Sequence, residues 1–390
     1  MELDELVDRR EIIICCGSGG VGKTTTAAAI AMHAAIKGRK TIVLTIDPAK
    51  RLANSLGLPE LGNEERKIPP HKFVEAGIRP KGELYAMMLD TKRTFDDLIA
   101  RFSLNPDMRE KILSNPLYRS ISDTFVGSQE YMAMEKLYEI YSEGDYDLIV
   151  LDTPPTKHAL DFLDAPRRLT DFLDGRILKW FLKPYFSAGR AGIRLFQRGT
   201  SVILRTLERV TGITALKIVS DFFIAFEGLY DGFKERAEAV YDLLHDRVTA
   251  FVLVTSPEDL TIEEAIYFHD KLIEYEMPFC GLIINKVHND FSAENVKEAD
   301  VRRLARRVVA ALARNEDERK AMQTVAEDLA ENLQNFRNLA AIDQENIRSL
   351  TDSIDSQASV RIVPFFDTDV YDIQGLLLIN EYLFGPDGKK

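Results

Sequence analysis

Apolar residues along this chain fall into two alternating rhythms. Short apolar segments occur at 12–16, 41–46, 147–151, 250–255, 280–285 and 360–364. Runs of this length between polar or turn residues fit strands buried on both faces, as in a parallel sheet. Between them apolar positions recur every three or four residues, the period of a helix with one covered face. The stretch 25–37 is rich in Ala, Ile and Met, and 258–274 keeps the helical period. So do Thr94, Phe95, Leu98, Ile99 and Phe102, and then Tyr131, Met134, Leu137, Tyr138 and Tyr141. Strand and helix in alternation predict an α/β protein, a doubly wound, mostly parallel sheet with helices on both faces.

In three places the helical pattern runs too long for a simple crossover. The expected core comprises 1–83, 144–166, 248–289 and 359–390, interrupted by helical insertions at 84–143, 167–247 and 290–358. A chain of 390 residues is long for one core and suits this division. The middle insertion carries Arg176, Lys179, Lys183, Arg190, Arg194, Arg198, Arg205 and Arg209 against Glu208 alone between 175 and 210. Ile193, Phe196, Thr200, Ile203, Leu207 and Val210 line the other face of the same pattern. A basic amphipathic helix can lie on an anionic membrane or cover an apolar client. The alternative is a helical subdomain with a solvated basic face. Trp180, Phe181, Tyr185, Phe186, Phe222, Phe223 and Phe226 are candidate groove-lining residues. In the last insertion Val301, Leu304, Val308 and Leu312 form one stripe, which predicts a helical hairpin or short coiled coil.

The first apolar segment runs into Gly17-Ser18-Gly19-Gly20-Val21-Gly22-Lys23-Thr24, which fits G-x-x-x-x-G-K-T, and a helix follows. Glycines let successive backbone N–H groups curl around an anion, and the helix N-terminus adds partial positive charge. This is a phosphate loop in its required setting, and it predicts a nucleoside triphosphate site. Gly19, Gly20, Val21, Gly22, Lys23, Thr24 and Thr25 are the candidate phosphate-binding residues, with Lys23 reaching the β- and γ-phosphates and Thr24 binding Mg²⁺. The segment 147–151 ends in Asp152, an acidic strand terminus suited to holding Mg²⁺. Asp47, Asn285 and Pro364 also close strands, the end at which parallel sheets bind ligands.

These segments resemble the ArsA family of P-loop ATPases, which includes arsenite-pump ATPases and the targeting ATPase for tail-anchored membrane proteins. The matching pieces are GSGGVGKTTT (17–26), TIDPAKRLANSLG (45–57), LDTPPTKHALDFLDAP (151–166), INKV (284–287) and VPFFDTDVYDIQGL (363–376). The resemblance implies ATP and Mg²⁺ as cofactors. It implies that Asp47 orients the attacking water beside the metal, and that 47–57 and 152–166 are the two switches. Asn285 would bond the adenine, with Pro364 and Phe365 near the base. A strand-end or helix-capping role is the plainer reading of Asp47, and a turn role that of Asn285. The implied assembly is a homodimer, although a paralogous heterodimer fits the same sequence. The implied partner is a hydrophobic client helix or membrane protein.

The chain departs from the family in two respects. Ser18 stands where relatives carry a second loop lysine, so Lys50, Arg51 or Lys157 are candidate substitutes, or turnover is slow. Cys15, Cys16 and Cys280 are the only cysteines. Two are adjacent within a strand, so they read as small core residues, and neither a metalloid nor a zinc site is expected.

A net charge of −12 argues against nucleic acid as a partner. No run reaches the roughly 18 apolar residues of a membrane span, and the charged start MELDELVDRR has no apolar signal core. The expected location is cytoplasmic, with peripheral membrane contact at most. The expected activity is Mg²⁺-dependent ATP hydrolysis that closes a dimer and rearranges a client-binding subdomain. Three alternatives are a nucleotide-gated binding module with little turnover, an energising subunit of an anion or arsenite transporter, and a membrane-bound partition ATPase. The last is disfavoured by the charged C-terminal tail.

Overall fold

The apolar segments form one sheet. A computed structural model describes residues 2–47, 51–103, 105–116, 118, 128–154, 222, 229–289, 298–312, 315–354 and 358–385. Its strands are β1 (Ile12–Cys16), β2 (Lys40–Thr45), β3 (Arg66–Lys67), β4 (Glu83–Met88), β5 (Leu148–Asp152), β6 (Thr249–Thr255), β7 (Phe279–Val287) and β8 (Ser359–Pro364). They are ordered β3-β4-β2-β5-β1-β6-β7-β8. Only the short edge strand β3 is antiparallel to its neighbour.

Alternate residues of the central strands enter different cores, which is why both faces had to be apolar. Ile12, Ile14, Cys16, Ile42, Leu44, Ile149 and Leu151 face one layer, while Ile13, Cys15, Val43, Leu148 and Val150 face the other. In chain order the helices are α1 (Leu3–Arg9), α2 (Lys23–Lys37), α3 (Arg51–Ser55), α4 (Pro70–Glu75), α5 (Thr91–Phe102) and α6 (Pro106–Leu113). They continue with α7 (Ser128–Glu143), α8 (Tyr230–His245), α9 (Asp259–Glu274), α10 (Glu298–Leu312), α11 (Glu316–Ser353) and α12 (Ile373–Phe384). Helices α1, α2 and α12 pack on the second face, and α5, α7, α8 and α9 on the first. The alanines of α2 let it lie close to the sheet; Ala27, Ala28, Ala29, Ala31, Ala34 and Ala35 are all buried.

Two expectations need correction. Residues 84–88 were expected to begin a helical insertion, but they form most of β4 and pair in register with β2 from Lys40↔Glu83 to Thr45↔Met88. Leu84 and Ala86 are buried against the α2 side, and Met87 lies in the opposite core, so the period is two. Leu, Ala and Met favour helices locally, and the sheet overrides that preference. Phe222, a candidate groove-lining residue, is buried in the core with Leu229 and Phe233. The other six aromatic candidates and the basic stretch 175–210 lie outside the described residues.

Helices α10 and α11 form the hairpin expected in the last insertion. Its far half is solvated: Val308, Leu312, Val325 and Leu329 are exposed, and Val308, Val325 and Leu329 border a groove of about 520 Å³ also lined by Val301, Met322 and Leu333. Its near half is anchored. Ile347 and Leu350 are buried, and Asn346 Nδ2 donates to Pro257 O at 2.8 Å and Asp259 Oδ1 at 2.7 Å.

Candidate functional site: a phosphate loop at the strand ends

The carboxyl end of β1 lies in the middle of the sheet, flanked by β5 and β6. The connection leaving β1 runs to β2 on one side and that leaving the adjacent β5 runs to β6 on the other, and such a switch point is where doubly wound sheets open a crevice for a ligand. The loop 17–22 fills that position. Gly17 has φ +144, and a Cβ there would sit 1.9 Å from Val254 O. Gly22, at φ +98, is the residue before α2 and offers no side-chain cap. The first N–H groups of α2 therefore keep their donors for a ligand.

Lys23 is 7% exposed, and its ammonium donates to the loop's own Ser18 O at 2.7 Å. Burial pulls its pKa below the ordinary value, opposed by the Asp152 carboxylate. An ammonium held on a loop carbonyl can exchange it for phosphate oxygens.

The neighbouring strands supply the acidic side. Parallel register sets Asp152 opposite both Cys15 of β1 and Thr45 of β2. Asp152 Oδ2 accepts from Thr24 Oγ1 at 2.6 Å and from Thr45 Oγ1 at 2.8 Å. Among the described residues its buried Oδ1 has no hydrogen-bond partner. Burial raises this carboxyl to about 6, against the lowering effect of both threonines and Lys23. An oxygen so placed, beside a threonine hydroxyl and near a second carboxylate, is a donor set for a hard divalent cation such as Mg²⁺.

Asp47 lies two residues beyond β2, with its N–H directed at Thr45 Oγ1 at 3.3 Å and its carboxylate 3.9 Å from Arg51 Nη1. Of the candidate substitute cations, Arg51 is thus placed beside Asp47; Lys50 and Lys157 lie outside the described residues. Asn285 is part of β7 and donates through Nδ2 to Val21 O at 2.8 Å. Phe365 is half exposed just past Pro364 and stacks on His288 at 5.5 Å between ring centres. His288 is fixed by Asp343 of α11, whose Oδ2 accepts from its backbone N–H at 2.7 Å and contacts Nδ1 at 2.9 Å. Cys15 and Cys16 are buried on opposite faces of β1, and burial pushes both thiols upward.

Sequence reasoning passed over Thr45 and Lys286. Thr45 carried a usable signal, since it ends β2 two residues before Asp47. Lys286 carried none, because only the tertiary fold brings its ammonium to Gly20 O, at 2.7 Å.

A glycine loop between a buried strand and a helix, faced by a buried carboxylate from the adjacent strand, defines a P-loop nucleotide-binding protein. The family model for anion-transporting ATPases matches residues 10–326. The chain belongs to that family and, with it, to the enzymes that hydrolyse ATP. It is 26% identical over 280 residues to the putative arsenical pump-driving ATPase 1 of Aquifex aeolicus, a match covering 71% of this chain and 63% of that protein. It is 24% identical over 289 residues to ATPase GET3 of Malassezia globosa, covering 73% and 76% of the two chains. Against ATPase GET3C of Arabidopsis thaliana it is 26% identical over 333 residues, covering 83% and 78%. Among the described residues no helix is long and apolar enough to cross a membrane.

Proposed function

We propose that this ATPase hydrolyses ATP with Mg²⁺ and uses the cycle to close a homodimer and rearrange a helical subdomain that holds an apolar client. The observation that carries the chemistry is Asp152. One of its oxygens accepts from the loop threonine, and the other is buried with no hydrogen-bond partner among the described residues. Thr24, Asp47 and Asp152 would hold Mg²⁺, whose charge offsets that of the phosphates. Amides from Gly19 to Thr25 receive the phosphate oxygens, and Lys23 leaves Ser18 O to bind them. Asp47 orients the attacking water. Asn285, Pro364 and Phe365 border the base.

Steady-state ATPase rates test the core of this reading. Lys23→Ala and Asp47→Asn are each expected to fall about 10²-fold or more, the usual loss when one preorganised group of a polar site is removed. Equal rates in the three proteins would overturn it. Dimer closure is tested separately by small-angle scattering: Asp47→Asn should keep a dimer's mass throughout and have a smaller radius of gyration with Mg²⁺ and ATP than with ADP. A cytoplasmic location and a client such as a transmembrane helix belong to the same proposal, and the relatives' resemblance supports them.

A second reading rests on Ser18. This residue cannot supply the charge that a lysine would bring to the developing negative charge of the reaction, so the protein would act as a nucleotide-gated binder with slow turnover. Single-turnover hydrolysis in the wild type and Arg51→Ala separates the two readings.

A further inference from the structure

Lys286 stands out as a left-handed lysine at the edge of the phosphate loop, with φ +64. Its conformation has a structural origin. Ile284 pairs with Ile362 and Val287 with Pro364, so Asn285 and Lys286 of β7 oppose Val363 alone on β8. Two residues against one is a β-bulge, which cancels the alternation of side chains along a strand. Consecutive side chains can then reach the same target. Asn285 Nδ2 donates to Val21 O at 2.8 Å, and Lys286 Nζ donates to Gly20 O at 2.7 Å.

Those two carbonyls are significant because of peptide geometry. In a trans peptide the C=O of one residue and the N–H of the next point in opposite directions across one rigid plane. A donor on Gly20 O therefore sets the direction of the Val21 N–H, and a donor on Val21 O sets that of the Gly22 N–H. Both amides belong to the cradle that receives the phosphates. Asn285 is packed so closely that a Cβ on Gly22 would fall 2.2 Å from its Nδ2. Lys286 adds a charge to the hydrogen bond, and among the described residues no carboxylate pairs with it.

We propose that Lys286 is a positioning residue of the nucleotide site: from the bulge it holds the Gly20 carbonyl so that the Val21 amide faces the phosphates, and it sets fixed positive charge at the loop's rim. This rests on the reading of residues 17–24 as a nucleotide site. Lysine does not favour a left-handed backbone, whereas glycine does. Stability and positioning should therefore separate at this position.

The test is calorimetric titration of the full chain with ADP and with adenosine, alongside melting temperatures of the nucleotide-free protein. Lys286→Gly should melt at or above the wild-type temperature yet bind ADP about 10-fold more weakly, the scale of one charge-assisted hydrogen bond. Lys286→Met should lose the same affinity, Lys286→Arg should recover to within about 3-fold, and adenosine binding should not change. Unchanged ADP affinity in Lys286→Gly and Lys286→Met would overturn the proposal. So would an arginine variant as weak as the methionine one, or an equal loss for adenosine. If wild type gives no heat with ADP while remaining folded, the nucleotide reading itself fails, and Lys286 loses its role with it.

Discussion

Asp152 concentrates the chemistry of the site in one side chain. Its carboxyl titrates near 6, above the ordinary 3.8, chiefly because it is buried. The sign of the consequence follows from proton binding. Between about pH 4 and 6 the unfolded chain has released this proton and the nucleotide-free fold has kept it, so stability falls as pH rises through that window and then levels off. Asp152→Asn keeps an acceptor for Thr24 and Thr45 and removes the buried charge. The variant is therefore expected to be more stable than wild type by on the order of 3 kcal/mol at pH 7.5 and by about half as much at pH 5, with the two nearly equal only below about pH 3.5, as read by denaturant unfolding. ATP turnover should move the other way and drop about 10²-fold or more, because the ionised carboxylate is the form that takes a cation. Identical unfolding curves at pH 7.5 would contradict this account of the burial.

Elements differ in how far their own residues specify them. β1 and α2 are set by an apolar run, a glycine loop and an alanine-rich helix, all local. The α10–α11 hairpin is also locally encoded, but the worth of its residues depends on what they touch. α11 has 38 residues and spans roughly 57 Å, and only its C-terminal half reaches the core. Leu350→Ala, at a fully buried position, should cost about 2–5 kcal/mol, whereas Leu329→Ala, 63% exposed, should stay within about 0.5 kcal/mol. Comparable losses in thermal unfolding would place Leu329 in a covered interface.

The contact between α7 and α8 is of another kind. Arg236 Nε donates to Glu135 Oε1 at 2.6 Å, and its guanidinium lies 4.1 Å over the Tyr138 ring. Arg236→Met strands a buried carboxylate and should cost about 3–5 kcal/mol, while Glu135→Met with Arg236→Met should cost less than the single change. Denaturant midpoints of both variants check this. β4 shows the opposite case, a helix-favouring segment made into a strand by its neighbour.

At the scale of the molecule, sheet order decides where function can sit. With β1 central and connections leaving toward both edges, the loop, Asp47, Asp152, Asn285 and Pro364 gather at one end of the sheet. Five separate strands must be in place for the whole site to exist, so ligand binding stabilises the whole fold by linkage. ADP at 100 times its Kd should add about 2.7 kcal/mol to the unfolding free energy, read as a raised melting temperature, and Lys23→Ala should abolish the rise.

Much of this was legible from residues alone, because the signals are local and covalent. An apolar run followed by G-x-x-x-x-G-K-T can hardly form anything but a strand, an anion-binding turn and a helix, and period-two burial on both faces implies a sheet between helix layers. Partners across strands were not legible. Thr45 meets Asp152 through the β2–β5 register, Lys286 meets Gly20 through a bulge, and β4 exists because β2 offers an open edge. Each of these depends on how distant segments align, and the pairing is decided by the collective packing of both cores, to which no short stretch of sequence holds the key.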